Sequence, residues 1–354
     1  VKVGLIDPDF ISENTRFPNL ALMKLSSYYN NAPLINYDEV NNYDKIFISK
    51  VFTETKVPKN ILEKKNVEYG GTGFYFDNAT PLPEKIEHIK PNYSLYIPFL
   101  KKKEEDLSKS KWKYHKDYSI GFTTRGCFRQ CDFCINRDKK RVVKHSPINE
   151  FLDKDKKYIT LLDDNILAFK GWKEIIKKLI SIGKPFNYKQ GLDIRLMTEE
   201  KAKLLNEAKY KDDYIFAFDD WEEKDIIIPK IKLWNKYRSD SDPKFYLLTA
   251  YKSKGIDDIV ELFKRIKVLM KLDCLPYVMR YDNYEESDYR GMYIAIAGWC
   301  NQPHIFKKMS LEEYALKRNE YTQCKDSFLR YLEDFKSKHP KLYEKYCTIK
   351  YEDF

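Results

Sequence analysis

Short apolar runs alternate along this chain with longer stretches of helical periodicity. The first run, at 2–6, ends at Asp7-Pro8 and reads as a strand. A helix is predicted over 19–29, where Leu20, Met23, Leu25 and Tyr28 form an approximately helical stripe. Ile46-Phe47-Ile48 and residues 67–69 give two further strands, with a short helix over 58–65 between them. The third strand enters Gly70-Gly71-Thr72-Gly73. That run lacks G-x-G-x-x-G spacing and reads as a plain loop, with no helix opening after it. The alternation predicts an open parallel sheet in a small α/β unit over 1–95. Residues 96–117 read as a hydrophilic linker: 101–106 is a charge run, and 109–116 is basic with Trp112 and Tyr114 interleaved. Lysines beside aromatics also suit a phosphate backbone.

From Tyr118 a strand–helix rhythm takes over. Strands are predicted at 118–123, 158–162, 186–190, 214–218, 244–249 and 275–279. Helices fall between them: 172–180, with Trp172, Ile175, Ile176 and Leu179 on one side; one capped by Thr198 with Glu199 and Glu200 in its first turn; 229–237, opening at Pro229; and 256–270. Units of this size predict a partial (β/α)6 barrel of TIM type over 118–280, with chemistry at the carboxyl ends of its strands. Residues 281–354 read as a substrate-facing segment followed by helices, the first opened by a Ser310-x-x-Glu313 capping box. The expected fold class is α/β: an open, Rossmann-like amino-terminal domain, a partial barrel and a helical extension.

Polar residues gather where the barrel strands end. Cys127, Cys131 and Cys134 follow the first strand, Asp163-Asp164-Asn165 the second, Gln190, Asp193 and Arg195 the third, Asp219-Asp220 the fourth, and Arg280, Asp282 and Asn283 the sixth. The cysteines are spaced C-x3-C-x2-C. Soft thiolates select iron–sulfur clusters, zinc or copper(I). Three thiolates on a short loop suit three corners of a [4Fe-4S] cube, leaving the fourth iron for another ligand. Structural zinc is the alternative, but it takes four ligands, and His145, the next histidine, belongs to no pair at zinc-finger spacing. A third reading, a buried, inert loop, is disfavoured by Arg125, Arg129, Gln130, Asp132 and Asn136, which make the loop polar.

Arg125-Gly126-Cys127, the cysteine spacing and Phe133 just before Cys134 resemble the signature of the radical S-adenosylmethionine superfamily. The resemblance implies that the three cysteines hold a [4Fe-4S] cluster. It implies that the methionine amino and carboxylate groups of S-adenosylmethionine chelate the fourth iron, and that Phe133 lies near the adenine. Asp163-Asp164-Asn165 then stands where the family binds the methionine amino group, here acidic and without the family's glycines. The run 190–196 resembles a third-strand segment in which Asp193 meets the ribose hydroxyls and Arg195 the methionine carboxylate; an internal Asp193–Arg195 salt bridge is the alternative. Residues 1–95 resemble the cobalamin-binding domain of one branch. The cobalt-ligating D-x-H-x-x-G motif is missing, since no histidine precedes His88, so cobalamin is not expected. The implied activity is reductive cleavage of S-adenosylmethionine to a 5′-deoxyadenosyl radical. That radical takes a hydrogen atom from a nucleotide, nucleic-acid or peptide substrate, with an external one-electron reductant of flavodoxin or ferredoxin type. Tyr289 and Cys300 are candidate hydrogen-atom donors by their position beyond the last barrel strand. Methyl or methylthio transfer is an alternative within the family, and a zinc-stabilised, basic nucleic-acid-binding module without catalysis is an alternative of another class.

Composition adds modest constraints. The formal charge is 64 − 54 = +10, but the lysines are scattered and accompany abundant Asn, Ile and Tyr, as an AT-rich genome produces. Seven cysteines, three of them in the signature, do not make a disulfide framework, and Cys274, Cys300, Cys324 and Cys347 read as core thiols. An oxygen-sensitive cluster implies a reducing, cytoplasmic setting. No apolar run approaches the roughly 18 residues of a membrane span, and nothing resembles a signal peptide.

Overall fold

Strands β1 (Val3–Ile6), β2 (Lys45–Ser49) and β3 (Val67–Gly70) pair in parallel in that order, within a residue or two of the predicted positions. The computed structural model describes residues 1–13, 15–137, 139–238, 241–321 and 327–354; Cys324 lies outside them. On the other side of β1, Leu34 forms a parallel bridge to Leu5. Every residue of β1 is buried, as a strand covered on both faces requires. The helix Leu20–Tyr28 starts at Asn19, whose side chain accepts the Leu22 amide at 3.3 Å.

Two expectations change in this region. Residues 96–117 are not a solvated linker throughout: 101–111 stay exposed or half-buried, but their flanks are core. Tyr96, Phe99, Leu100 and Trp112 join Leu5 and Leu22 in one core. The helix Tyr96–Lys102 carries its apolar residues at i, i+3 and i+4 and its lysines opposite, so a buried face hides inside a charged sequence. A one-turn helix, Thr72–Tyr75, does open directly after Gly71. Gly71 is needed there: its φ is +100°, and a Cβ would sit 2.3 Å from the Lys50 carbonyl oxygen.

Further along run β4 (Tyr118–Gly121), β5 (Thr124–Arg125), β6 (Val143–Lys144), β7 (Tyr158–Leu161) and β8 (Phe186–Tyr188). β4, β7 and β8 form a parallel sheet in that order, while β5 and β6 pair antiparallel. These elements belong with the amino-terminal sheet to one compact unit, Val1–Gln190; the second unit is Gly191–Phe354.

In the second unit β9 (Ile215–Ala217), β10 (Lys244–Thr249) and β11 (Leu275–Arg280) pair in parallel, with β10 central. The helix Ile256–Lys271 packs on β10 and β11, and Arg290–Cys300 packs on β11. The helix expected from Pro229 starts earlier, at Lys224, and holds Pro229 inside it. Buried Ile227, Ile231 and Trp234 extend the apolar stripe back by a turn, which offsets the hydrogen bond that proline cannot donate. The Ser310–Glu313 capping box forms reciprocally, at 3.0 and 3.1 Å. The architecture is a mixed α/β one, with parallel sheets interspersed with helices.

Candidate metal centre and adjoining cleft

Two consecutive carboxylates at the end of β7 organise the cysteine loop. Asp163 is fully buried and accepts the Thr123 and Thr124 amides at 3.0 and 2.7 Å. It also accepts their hydroxyls at 2.5 and 2.7 Å. Burial pushes its pKa up, opposed by these bonds. Asp164 accepts the Gly126 amide at 2.6 Å and the Asn136 side-chain amide at 2.8 Å, so one carboxylate holds both ends of the loop. β5 and β6 close it further, with Thr124 opposite Lys144 and Arg125 opposite Val143. Gly126 has φ +93°, and a Cβ there would lie 2.3 Å from the Arg141 carbonyl oxygen. The loop therefore returns tightly on its own start.

Cys127, Cys131 and Cys134 are half-buried. The Arg129 amide and the Asn165 side-chain amide donate to Cys127 Sγ at 3.5 and 3.4 Å, and the Asn136 amide donates to Cys134 Sγ at 3.4 Å. Burial raises the Cys134 pKa, while the Asn136 amide lowers it. Amide donors to sulfur stabilise thiolate charge and, on a metal-bound sulfur, tune its potential. Among the described residues, no three His, Cys, Asp or Glu side chains converge on one metal ion. A [4Fe-4S] cube places each thiolate on a different iron. Soft donors, amide bonds to two of the sulfurs and a clamped loop fit such a group.

The other predicted residues fall as follows. Phe133 is half-buried in the loop, and Gln190 is exposed just after β8. In the second unit the Arg195 guanidinium donates to Asp193 at 2.7 Å and to Glu223 at 2.5 Å. Burial alone would lower the Arg195 pKa; these carboxylates raise it. The internal salt bridge considered from sequence is thus present, extended by Glu223. Asp219 accepts the Leu248 amide at 2.9 Å, and Asp220 accepts the Glu222 amide at 3.0 Å and pairs with Lys252. The Tyr289 hydroxyl meets His339 Nε2 at 2.8 Å. Cys300 is buried in the core, which pushes its thiol pKa well up.

Sequence reasoning missed Thr123, Thr124 and Asn136 as anchors. Their one signal was polarity at the two ends of the loop, opposite an Asp-Asp pair. It also missed a cleft of about 1240 Å³ in the first unit. One wall comes from the helix Leu20–Tyr28, β2 and β3; the other includes Arg125, Gly126, Asn136 and 139–141 of the cysteine loop. His145 lines it, with Nδ1 3.0 Å from Ser146 Oγ and Nε2 3.3 Å from Glu87.

No protein-family model matches the chain, and no curated protein matches it significantly.

Proposed function

We propose that the protein is a radical S-adenosylmethionine enzyme. In this reading Cys127, Cys131 and Cys134 would hold a [4Fe-4S] cluster and leave one site on it open to S-adenosylmethionine. The observation that carries the reading is the loop: three half-buried thiols, amide donors on Cys127 and Cys134, and Asp163 and Asp164 holding the Thr123, Thr124 and Gly126 amides ahead of it and, through Asp164, the Asn136 side chain behind it. A cluster held there would supply one-electron reduction of the sulfonium, the chemistry that gives methionine and a 5′-deoxyadenosyl radical.

The chain's own residues fix where this happens. The Arg129 and Asn136 amides and the Asn165 side chain spread negative charge off the sulfurs. Asp163, its oxygens filled by Thr123 and Thr124, positions the loop. Asp164 and Asn165 are assigned to the methionine ammonium, where a carboxylate and an amide oxygen are complementary. Phe133 is assigned to the adenine. The Asp193–Arg195–Glu223 group, Gln190, Tyr289 and Cys300 are assigned no ligand. The reading carries with it a one-electron reductant of flavodoxin or ferredoxin type. It also implies that β4, β7 and β8 with β9–β11 are strands of a partial (β/α)6 barrel, and that β1–β3 form a Rossmann-like domain.

Anaerobic reconstitution with iron and sulfide tests the metal. The expected result is about four irons and about four sulfides per chain, with a reduced-cluster electron paramagnetic resonance signal that S-adenosylmethionine alters. One zinc per chain and no cluster signal would contradict the reading.

A further inference from the structure

The cleft beside the cysteine loop has two chemically different walls. On the loop side stand Arg125, Lys139, Lys140 and Arg141, all exposed. The same cleft is lined by Tyr69 and Tyr75, 41% and 44% exposed, with rings parallel within 2° and centroids 6.1 Å apart. Two acids of the cleft are ion-paired, and the third, Asp164, holds neutral donors and keeps its charge, one against four. Glu68 pairs with Lys45 at 2.7 Å, Glu87 with Lys24 at 2.7 Å, and Asp164 takes the Gly126 and Asn136 donors. The four loop-side cations are therefore not balanced by the cleft's own carboxylates. The Arg125 guanidinium carbon sits 4.0 Å from the centre of the Phe122 ring, a cation–π contact that leaves its N–H groups for the oxygens of a phosphate. The cleft, about 1240 Å³, exceeds the roughly 300–1,000 Å³ of small-molecule sites.

We infer that this cleft binds a single-stranded nucleic acid, with phosphates along Arg125 and 139–141 and bases against Tyr69 and Tyr75. Cations that follow a backbone, beside aromatic faces that accept any base, form the usual grip on an unpaired strand. A lone nucleotide carries the same chemistry but would occupy only part of the space. The inference names the substrate class of the proposed enzyme and rests on that reading for its catalytic meaning. The binding itself needs neither reductant nor S-adenosylmethionine.

The test is fluorescence anisotropy on the anaerobically reconstituted full chain. Its probes are labelled single-stranded RNA and DNA of mixed sequence, the matching duplexes, a labelled mononucleotide and a labelled polyglutamate. Either single strand should bind more tightly than its duplex and than the mononucleotide, and the stronger of RNA and DNA identifies the source. Four phosphate contacts give a slope of about −2.8 in log affinity against log salt, so affinity should fall about 50-fold between about 50 and about 200 mM salt. Lys139→Ala, Lys140→Ala and Arg141→Ala together should flatten that slope by about 2. Tyr75→Ala should weaken binding by about 5- to 150-fold with little change in salt slope. These positions are exposed, and circular dichroism checks that the variants fold. Duplex binding as tight as single-strand binding, preferential binding of polyglutamate, or single-strand affinity untouched by either variant would overturn the inference. Strand binding without 5′-deoxyadenosine formation would fault the enzymatic reading instead; 5′-deoxyadenosine formation without strand binding would fault this one.

Discussion

Replacing Asp164 separates two roles that one side chain holds. Its carboxylate accepts the Gly126 amide at 2.6 Å and the Asn136 side chain at 2.8 Å, which ties the start of the cysteine loop to its end. Each bond to an ionised acceptor is worth about 1.5–3 kcal/mol net. Asp164 is only half-buried, so water recovers part of that loss, and Asp164→Ala should weaken loop closure by about 2–4 kcal/mol. That energy corresponds to roughly a 30- to 1000-fold rise in the open population of the loop. The assay is iron release from the reconstituted protein to an excess of chelator under anaerobic conditions. Release limited by loop opening should accelerate by at least an order of magnitude. The global melting temperature should fall little, because the affected bonds are local. Asp164→Asn keeps an acceptor for the Gly126 amide, and a turned Asn136 amide restores the second bond. Iron release should therefore stay within a few-fold of wild type, while loss of the negative charge weakens S-adenosylmethionine binding and lowers 5′-deoxyadenosine formation. Unchanged iron release in Asp164→Ala, or release from Asp164→Asn as fast as from Asp164→Ala, would refute the clamp.

Three further outcomes follow from the same structure. Gly126→Ala puts a side chain at φ +93° and 2.3 Å from the Arg141 carbonyl, so it should cost at least about 1–2 kcal/mol and impair cluster uptake, read by iron content. Burial raises the Asp7 pKa from its ordinary 3.8 to about 7, so its contribution to stability is full below the unfolded value and is lost as pH rises through 7. Urea melts should show stability falling by up to about 4 kcal/mol between pH 4 and 8 from this group, and Asp7→Asn should remove that limb. Trp112→Ala should destabilise the protein by about 3–5 kcal/mol in denaturant melts, because Trp112 is core rather than linker.

The strands were legible because parallel strands are short, apolar and separated by amphipathic helices. Ile46-Phe47-Ile48 and the run at 244–249 carry that signal locally. Caps were legible for the same reason: Thr198 and Ser310 act on amides three residues away. The helix at Tyr96–Lys102 was not, because its apolar residues run directly into the charged stretch 101–106. The cysteine loop was legible as a donor set but not as a closed structure. Its clamps join Gly126 and Thr124 to residues almost forty positions later, and nothing in the sequence marks which of Asp163 and Asp164 faces which donor. The cleft lay further out of reach, since its walls come from residues 20–87 and 122–164, brought together only by folding. The same holds for Glu223, whose bond to Arg195 spans the whole helix Glu199–Glu207 and β9.

The central claim is that the three thiolates support reductive cleavage of S-adenosylmethionine, and product analysis tests it most directly. The reconstituted protein is incubated anaerobically with dithionite and S-adenosylmethionine, and 5′-deoxyadenosine and methionine are quantified by liquid chromatography. The account predicts both products in equal amounts from the wild-type chain and neither from Cys127→Ala. A wild-type chain that carries no cluster and yields no 5′-deoxyadenosine, or a Cys127→Ala variant that yields as much as wild type, would contradict it.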